Sequence, residues 1–423
     1  MPAFTPIILL GEQRLFKIFL FIIKHDSICG KRIIDFLLKM ASFDKALIAT
    51  HIIYRQIPPY DALEGPYSSV CRALESILKD VETCQIPLND FNGAVIYGHW
   101  RKTRQLKIPS FLGQLVPLKY LVDLVISAFF ALKFSLANHD KKKLAVGIDP
   151  LSCLPLAFLK KIFNYRLVFY SVDFNKNRFK NRVLQWAYEK ADELSTRFGD
   201  QTWVVCQSLK DYKKKHYHTD SIYIPNSPIF NGSLYQKGKK LKAGNKMAWT
   251  GSFLTERQYE IFFGLLKEIQ DKYRPEMEFY FAPMQNHDRF RNFGKKYGLK
   301  KFQVLELHSR LEWQEFAAKC DVGIAIYDPQ FGSTKFIEPL KIWDFMMVGM
   351  PFIISCEPSI STPIKKSGVA YFLAPNNKIP KDNSLKEFLK KENIIKLQER
   401  CIELAKEFDI QKQIKKTLKN LST

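Results

Sequence analysis

A loop and a short helical pattern within residues 328–351 carry the side chains best suited to hold an anion. The loop is polar at residues 333–335, and Pro339 follows where a helix can begin, since proline is preorganised for the first helical position. Backbone N–H groups at the start of a helix attract negative charge, and Lys335 and Lys341 would add to that attraction. We therefore predict an anion-binding site in this segment.

Lys341 and Asp344 lie three residues apart, so a helix would place them on one face. That spacing has two interpretations: both side chains line a ligand cleft, or they form only an ion pair, worth about 0.2–0.5 kcal/mol. Gly349 can end the helix in the left-handed conformation that glycine adopts freely. We expect a short helix whose first turn faces the polar loop.

Short apolar runs alternate with longer helical patterns from residue 45 onward. The runs are nearly continuous in apolar character, as strands covered on both faces should be. The predicted strands are residues 45–50, 93–98, 143–148, 166–172, 202–208 and 221–226, then 246–253, 277–283, 302–308, 322–328, 351–356 and 369–374. This pattern predicts an α/β protein with two doubly wound, Rossmann-like units.

A stretch rich in lysine and glycine separates the two series of strands and lacks apolar periodicity. The predicted order is an extension at 1–39, an N-terminal domain at 40–230, a linker at 231–245, a C-terminal domain at 246–384 and C-terminal helices at 385–423. The extension is either an amphipathic surface segment or lies before a natural start at Met40. Open α/β sheets bind ligands at the carboxyl ends of their strands, so the loops there are the expected sites.

The composition is that of a globular protein with an acidic partner. Hydrophobic residues make up 46% and charged residues 25%, which excludes collagen-like, coiled-coil and wholly disordered chains. The net charge of +23 favours a nucleic acid, an anionic membrane or a phosphorylated substrate, and a lysine-rich surface without a partner is the alternative. The cysteines lack Cys-x-x-Cys or zinc spacing, so we expect no metal site and a reducing, cytoplasmic compartment.

Several motifs that would indicate other functions are missing from the sequence. Without Asp-x-Asp, a metal-dependent single-domain sugar transferase is disfavoured. The sequence also lacks Gly-x-Gly-x-x-Gly, a Walker loop and Gly-x-Ser-x-Gly, which disfavours dinucleotide oxidoreductases, P-loop ATPases and α/β-hydrolases. Basic residues are not interleaved with aromatic ones as in known nucleic-acid modules, so no nucleic-acid partner is expected.

The run Pro-Leu-Lys-x-x-Asp-Phe-Met-x-x-Gly-x-Pro at residues 339–351 resembles the signature segment of retaining GT-B-fold glycosyltransferases of family 4 (group 1). In that family the loop and helix N-terminus hold the diphosphate of a nucleotide sugar, and the helix acid holds ribose hydroxyls. The resemblance implies the second role for Asp344. Many members carry a glutamate eight positions earlier, where this chain has Phe336; Glu338 is the nearest acid.

Weaker matches agree in order along the chain. Residues 249–253 resemble the first strand and glycine turn of the family's donor domain, and residues 168–173 resemble a strand whose end often carries His-Asp. The resemblance implies catalytic roles for Asp173 and Glu338. It implies donor-binding roles for Gly65, Gly251, Ser252, Arg257, Ser333, Thr334, Lys335, Pro339, Leu340, Lys341 and Asp344.

The resemblance covers about residues 45–375 and implies a GT-B-like glycosyltransferase, with two doubly wound domains facing across a cleft. Such an enzyme would move a hexose from a nucleotide-sugar donor to a glycan or lipid-linked acceptor in cell-envelope polysaccharide synthesis, with retention and without a metal or other cofactor. Two alternatives stay open: a sugar-nucleotide 2-epimerase, and a catalytically degenerate binding or scaffold subunit. Replacements of typical family residues at Ser252, Phe336 and Val172 would suit the second.

Residues 101–143 contain nine basic side chains and only two acidic ones. The four that directly precede an uncharged apolar run at 108–118 are Arg101, Lys102, Arg104 and Lys107. Cations beside an apolar face are typical of a segment in the headgroup plane, so we expect a peripheral protein on the inner, anionic face of a membrane. The alternative is a buried crossover helix at 118–132. No uninterrupted apolar run reaches about 18 residues, so no membrane-spanning helix is expected.

Overall fold

A computed structural model describes residues 43–52, 66–88, 94–108, 116–172, 174–234, 244–253, 255–330, 333–356 and 358–422. The predicted extension at 1–39, the predicted site residues Gly65 and Asp173, and most of the predicted linker lie outside these residues. Two sheets, each covered by helices on both faces, make up two domains.

The N-terminal sheet consists mainly of parallel strands, in the order β4-β3-β2-β1-β5-β6-β7-β8 within the described residues. The strands are β1 Lys45–Ile52, β2 Asp80–Pro87, β3 Ala94–His99, β4 Lys102–Lys107, β5 Lys143–Ile148, β6 Arg166–Ser171, β7 Gln201–Val204 and β8 Ile222–Tyr223. The strands β2, β3 and β4 that follow β1 lie on one side of it, and β5 lies on its other side. The topological switch point of the sheet, where such folds bind ligands, therefore lies between β1 and β5.

One edge of this sheet differs from the sequence-based expectation. The apolar pattern predicts neither β2, in which polar and apolar residues are mixed, nor β4, whose side chains are all exposed. β3 pairs antiparallel with both of them, whereas the predicted sheet is parallel throughout. An edge strand need not bury either face, so its sequence carries no apolar signal.

Helices cover both faces of the N-terminal sheet. They are α1 Pro66–Glu75, α2 Val116–Ala137, α3 Pro150–Leu159, α4 Arg182–Phe198 and α5 Gln207–Tyr217. On one face α2, α3 and α4 contribute Phe130, Leu156 and Phe198 to the packing, and on the other α1 and α5 contribute Val70 and Leu209. The two faces thus have separate apolar clusters.

Among the described residues, α2 is a candidate for a helix long and apolar enough to cross a membrane. Residues 117–137 meet that test by length and composition, although the same test is passed by core helices of soluble proteins. Lys119, Asp123 and Lys133 interrupt the apolar run, which is why a search for an unbroken run misses the helix.

The C-terminal sheet is parallel throughout, in the order β11-β10-β9-β12-β13-β14 among the described residues. Its strands are β9 Lys246–Gly251, β10 Glu278–Pro283, β11 Phe302–Val304, β12 Val322–Ala325, β13 Phe352–Ile354 and β14 Ala370–Phe372. The switch point of this sheet lies between β9 and β12.

The helices of the C-terminal domain are α6 Glu256–Glu268, α7 His287–Lys296, α8 Arg310–Ala317, α9 Leu340–Met347, α10 Thr362–Ser367, α11 Ser384–Phe388 and α12 Lys391–Glu407. Proline and glycine set the ends of α9 nearly as the sequence predicts. Pro339 stands one position before the first helical residue, and Gly349 follows the helix with φ 72°. The short helix after a polar loop is therefore present.

The last helix, α13 Ile410–Ser422, returns to the N-terminal domain. Its residues Ile410, Ile414, Leu418 and Leu421 are buried in the apolar cluster beside α1. The sequence pattern predicts a solvated outer face for the C-terminal helices. α13 has such a face, and its inner face completes the core of the first domain. The two domains also meet directly, since the Ser208 N–H donates to Ser359 Oγ over 3.1 Å.

Candidate functional site

A cavity of about 740 Å³ opens at the carboxyl ends of β9 and β10. Its size falls within the range of about 300–1,000 Å³ typical of small-molecule sites. The described residues that line it are Thr250, Gly251, Ala282, Pro283, Met284, Asn286, His287, Asp288, Arg289, Arg291, Glu306, Leu307, His308, Ser309, Arg310, Trp313, Leu340, Lys341 and Asp344. The cavity therefore lies where open α/β sheets bind ligands, on loops leaving the strands.

Gly251 ends β9 and forms one wall of the cavity. Its φ of 130° is one that residues with a side chain rarely adopt. A Cβ atom at this position would lie 2.8 Å from Lys341 Nζ, closer than real Cβ contacts come. Glycine is thus favoured here by the backbone conformation, and a side chain would also displace the end of Lys341.

Lys341, in the first turn of α9, is the most unusual charged group in the cavity. Its Nζ lies 4.9 Å from the centre of the Trp249 ring and 5.5 Å from that of Tyr327. Desolvation lowers the pKa of Lys341 to about 7. Within the described part of the chain its ammonium group has neither a hydrogen bond nor an ion pair. A cation held beside a helix N-terminus and left without a counter-ion is suited to bind an anion.

Asp344 lies one turn further along α9, and its carboxylate is buried against α8. Arg310 Nη2 donates to Asp344 Oδ1 over 2.8 Å, and Gln314 Nε2 donates to the same oxygen over 2.7 Å. The ion pair with Lys341, one of the two sequence-based interpretations, is not formed. Asp344 Oδ2 receives only a longer contact of 3.3 Å, from Arg310 Nε, and so keeps acceptor capacity.

The other predicted donor-binding residues of this domain fall into two groups. Leu340 lines the cavity, whereas Ser252, Arg257, Ser333, Thr334, Lys335 and Pro339 are not among its described lining residues. Arg257 donates to Gln330 over 2.6 Å and pairs with Asp328 at 3.5 Å. Thr334 is buried and donates to the Asp328 carbonyl. Both side chains therefore brace the loop after β12.

Glu338, a predicted catalytic residue, lies at the contact between the domains. Its carboxyl oxygens accept hydrogen bonds from the Tyr223 hydroxyl, at 2.9 and 2.8 Å, and from Trp343 Nε1, at 3.2 Å. Burial raises the pKa of Glu338 to about 8, although these hydrogen bonds oppose the shift. Tyr223 belongs to β8 of the first domain, so this acid joins the two domains.

The sequence analysis expects sites in the loops at the carboxyl ends of the strands without singling out residues after β10 and β11. The helices that follow these strands, α7 and α8, bring His287, Arg289, Arg291 and Arg310 to the cavity, and His308 lies in the loop before α8. Arg291 pairs with Asp288 and Glu306, and Arg310 pairs with Asp344. Their position after predicted strands is the signal that could have identified them.

A second polar cluster, the His51 network, lies at the switch point of the N-terminal sheet. His51 Nδ1 is 2.9 Å from Asp149 Oδ2, and His51 Nε2 is 3.1 Å from Asp123 Oδ2. Lys119 Nζ donates to Asp123 Oδ2 over 2.7 Å, and Ser152 Oγ donates to Asp149 Oδ2 over 3.1 Å. The sequence analysis does not predict this network, because its members come from β1, α2 and the start of α3.

The His51 network is balanced in charge and largely buried. Burial opposes the positive charge of His51, but Asp149 and hydrogen bonds to both carboxylates outweigh it and raise the pKa of His51 to about 9. Asp149 caps α3 by accepting from the Ser152 N–H, and it has a φ of 78°, unusual for a residue other than glycine. Both ring nitrogens of His51 are engaged, so the network first of all ties β1, α2 and α3 together.

Comparisons with solved structures identify the fold. Sucrose-phosphate synthase from Thermosynechococcus elongatus is 14% identical with a TM-score of 0.61, and the match covers 89% of this chain and 99% of that one. HepE of Anabaena, in complex with UDP, is 14% identical with a TM-score of 0.55, covering 89% and 100%. α,α-Trehalose 6-phosphate synthase from Burkholderia multivorans is 10% identical with a TM-score of 0.56, covering 90% and 97%.

HepE has also been solved with UDP-glucose, and that structure matches with 13% identity, a TM-score of 0.52 and coverage of 88% and 99%. No protein-family model matches the sequence, and no curated protein matches it. These three proteins are GT-B glycosyltransferases. The chain accordingly has the GT-B fold, as its sequence predicts: two doubly wound, Rossmann-like domains that face each other across a cleft.

Proposed function

We propose that the protein is a glycosyltransferase whose nucleotide-sugar donor binds in the cavity at the end of β9. The observation that carries this proposal is Lys341, an ammonium group in the cavity that lacks a counter-ion in the described part of the chain. The diphosphate of a nucleotide sugar would supply the missing negative charge. The complexes of HepE with UDP and UDP-glucose support this class of ligand.

The cavity residues would act by positioning and electrostatics. Lys341 and the N–H groups at the start of α9 would stabilise the departing diphosphate as the glycosidic bond breaks. Asp344 would accept a hydrogen bond from a ribose hydroxyl through Oδ2, the oxygen that Arg310 and Gln314 leave most available. Arg310 and Gln314 would hold that carboxylate in place.

The resemblance to family 4 adds finer features to the proposal. We propose hexosyl transfer with retention of the anomeric configuration and without a metal, because Lys341 supplies positive charge beside the leaving group. NMR of the first-formed product would reveal its anomeric configuration. Full activity in the presence of EDTA would support metal independence, and its loss on chelation, with recovery on adding a divalent ion, would refute it.

The acceptor is proposed to be a glycan or a lipid-linked sugar in cell-envelope polysaccharide synthesis, used on the cytoplasmic side of the membrane. The net charge of +23 suits an anionic acceptor or surface. Extension of a synthetic lipid-linked sugar by the purified protein would test this assignment directly.

Replacing Lys341 by alanine tests the donor site. Loss of a charge-assisted contact should weaken UDP binding about ten- to a hundredfold, while uridine binding stays unchanged because uridine has no phosphate. Calorimetry measures both affinities. Lys319→Ala is the matched control, since Lys319 is exposed and does not line the cavity. Equal UDP affinity in the Lys341 variant and the control would refute the assignment.

A panel of nucleotide sugars then separates the three candidate functions. A glycosyltransferase should slowly hydrolyse its preferred donor to nucleotide and the unchanged sugar, and should transfer the sugar when an acceptor is present. A 2-epimerase would release an epimerised sugar. Binding of UDP without any turnover, across donors and acceptors, would indicate the scaffold subunit.

A further inference from the structure

The outward face of α2 is apolar along its whole length. Six large hydrophobic side chains, spaced by three or four residues, are between 37% and 61% exposed: Leu118, Leu121, Val125, Phe129, Leu132 and Leu136. Residues with this spacing lie on one side of a helix, and 22 residues span about 33 Å. We call this row of side chains the α2 stripe.

The inward face of α2 carries the polar residues instead. Asp123, Ser127 and Ser135 are each no more than 1% exposed, alongside buried Phe130 and Phe134. A surface helix of a globular protein normally places its apolar stripe inside and its polar residues outside. Contiguous exposed apolar surface marks an interaction site, so the α2 stripe is expected to have a partner.

Cations lie beside the stripe on the same side of the sheet. Antiparallel pairing aligns Lys102 with His99 and Arg104 with Tyr97, so each pair shares a face. Tyr97 packs against Phe130 of α2, with ring centres 4.7 Å apart, and Lys133 Nζ lies 5.7 Å from the centre of the Tyr97 ring. Lys102 and Arg104 therefore extend from the edge strand next to α2.

The structure selects among the four cations that the sequence associates with a membrane. Arg101 forms an ion pair with Glu75 of α1, across the sheet edge. Lys107 pairs with Ala94 of β3. Side chains alternate between the two faces along a strand, so Ala94 and Lys107 lie on the opposite face of the sheet from Tyr97 and α2. Most of the apolar run at 108–118 lies outside the described residues. The α2 stripe, Lys102 and Arg104 remain as the candidate surface.

α2 is held in the domain by its buried polar residues. Asp123 is hydrogen-bonded to His51 of β1, so extracting the helix from the domain would break this contact. Phe130 and Phe134 are likewise buried in the core beneath α2. A helix fixed along one side and apolar along the other can lie on a bilayer without crossing it.

We propose that the α2 stripe docks on an anionic lipid bilayer, with Lys102 and Arg104 contacting the headgroups. The stripe would enter the boundary between headgroups and acyl chains, and the cations would select anionic lipid. Charge favours this occupant, because the exposed cations Lys102 and Arg104 beside the stripe complement anionic headgroups. Docking does not depend on the proposed transferase activity.

Vesicle sedimentation of the full chain tests the proposal. Binding to vesicles of phosphatidylcholine mixed with phosphatidylglycerol is expected, with little binding to phosphatidylcholine alone and a decrease at high salt. Replacing Lys102 and Arg104 by glutamine should weaken binding about thirtyfold, since each cation near the surface contributes about a fivefold factor. The charge-matched control is Lys300→Gln with Lys319→Gln, two exposed lysines of the other domain, which should bind as wild type does.

A second variant addresses the apolar part of the surface. Leu121→Gln, Val125→Gln and Phe129→Gln together should reduce binding more than tenfold, on the order expected from losing three inserted side chains. Ile395→Gln, at an exposed apolar position on α12, is its control. Circular dichroism and UDP affinity should match wild type in every variant.

Three results would overturn the proposal. One is the absence of binding to anionic vesicles. Another is binding that the stripe and cation variants leave unchanged. The last is a wild-type protein that does not bind vesicles and forms a dimer in light scattering, where the variant with glutamines in the stripe is a monomer. Loss of UDP binding would instead bear on the proposed donor site.

Discussion

The carboxyl edges of the two sheets both hold buried polar side chains, but in opposite states. At the end of β9, Lys341 lies in a cavity with no counter-ion among the described residues. At the ends of β1 and β5, His51, Asp149, Asp123 and Lys119 all find partners in one another. A charged group that pairs within the fold contributes to architecture, whereas one without a counter-ion is available to bind a ligand.

This difference makes the two edges separable by mutation. Changes at the His51 network should lower the stability of the fold and leave nucleotide affinity alone. Replacing Lys341 itself should weaken nucleotide binding and leave the stability of the fold unchanged. The four predictions below run from the largest expected effect to the smallest.

Replacing His51 by leucine should lower the free energy of unfolding by about 3–5 kcal/mol, because it leaves the buried Asp123 and the largely buried Asp149, 20% exposed, without their shared partner. Wild-type stability should also fall as pH rises. The pKa of His51 is raised from its ordinary value of 6.5 to about 9 in the fold. Its contribution to the free energy of unfolding, about 3 kcal/mol, is therefore complete below pH 6.5 and is lost as the pH rises through 9. Urea denaturation at several pH values measures both effects.

His99→Leu is the matched control for His51→Leu. His99 is 41% exposed and lies 3.5 Å from Asp80, so its loss should change stability by less than about 1 kcal/mol. Weaker UDP binding in the His51 variant, with unchanged stability, would place the network in the ligand site and break the distinction between the two edges.

Replacing Gly251 by alanine should affect both stability and binding. The unfavourable backbone conformation should cost about 1–3 kcal/mol, and the new Cβ should displace Lys341 Nζ and weaken UDP binding about tenfold. Gly298→Ala is the control, because Gly298 also has a positive φ but nothing within 4 Å of its Cβ position. A similar loss of UDP affinity in both variants would indicate a general effect of strain.

The pH dependence of UDP binding provides a smaller test. With a pKa of about 7, Lys341 is increasingly neutral above pH 7 and must take up a proton when the diphosphate binds. UDP affinity should therefore fall as pH rises above 7, by up to about tenfold per unit. Calorimetry in buffers of different ionisation enthalpy would detect the proton uptake. The Lys341→Arg variant should lose this pH dependence, since arginine stays charged.

Replacing Glu338 by glutamine should have the smallest effect. Burial raises the pKa of Glu338 to about 8, so the side chain is mostly neutral at pH 7 and glutamine resembles that form in shape and charge. The free energy of unfolding should change by less than about 1 kcal/mol, with donor hydrolysis retained. A large loss of hydrolysis at unchanged stability would instead support the catalytic role that the sequence predicts for this residue.

Local signals explain which parts of the fold could be predicted. Pro339 and Gly349 bound α9 because proline and glycine restrict the backbone whatever surrounds them. Apolar runs predict β1 and β5, which helices cover on both faces. The apolar pattern does not predict β4, because an exposed edge strand needs no apolar residues.

The candidate sites depend on contacts that the sequence does not reveal. Arg310 meets Asp344 across 34 positions, and His51 meets Asp149 across 98. No local pattern connects residues so far apart; only the sheet topology brings them to one edge. The sequence also does not show that α2 exposes its apolar face and buries polar residues, because the sheet beneath the helix determines which face is inward.

The return of α13 to the first domain has a consequence for synthesis of the chain. Ile410, Ile414 and Leu421 fill a core whose last strand, β8, ends at Tyr223. At about 5–20 residues per second, a ribosome needs roughly 10–40 s more to deliver those side chains. Until then, the apolar surface of α1 stays uncovered on the nascent polypeptide. The first domain to emerge is thus the last to be completed, and chaperones have that interval in which to bind it.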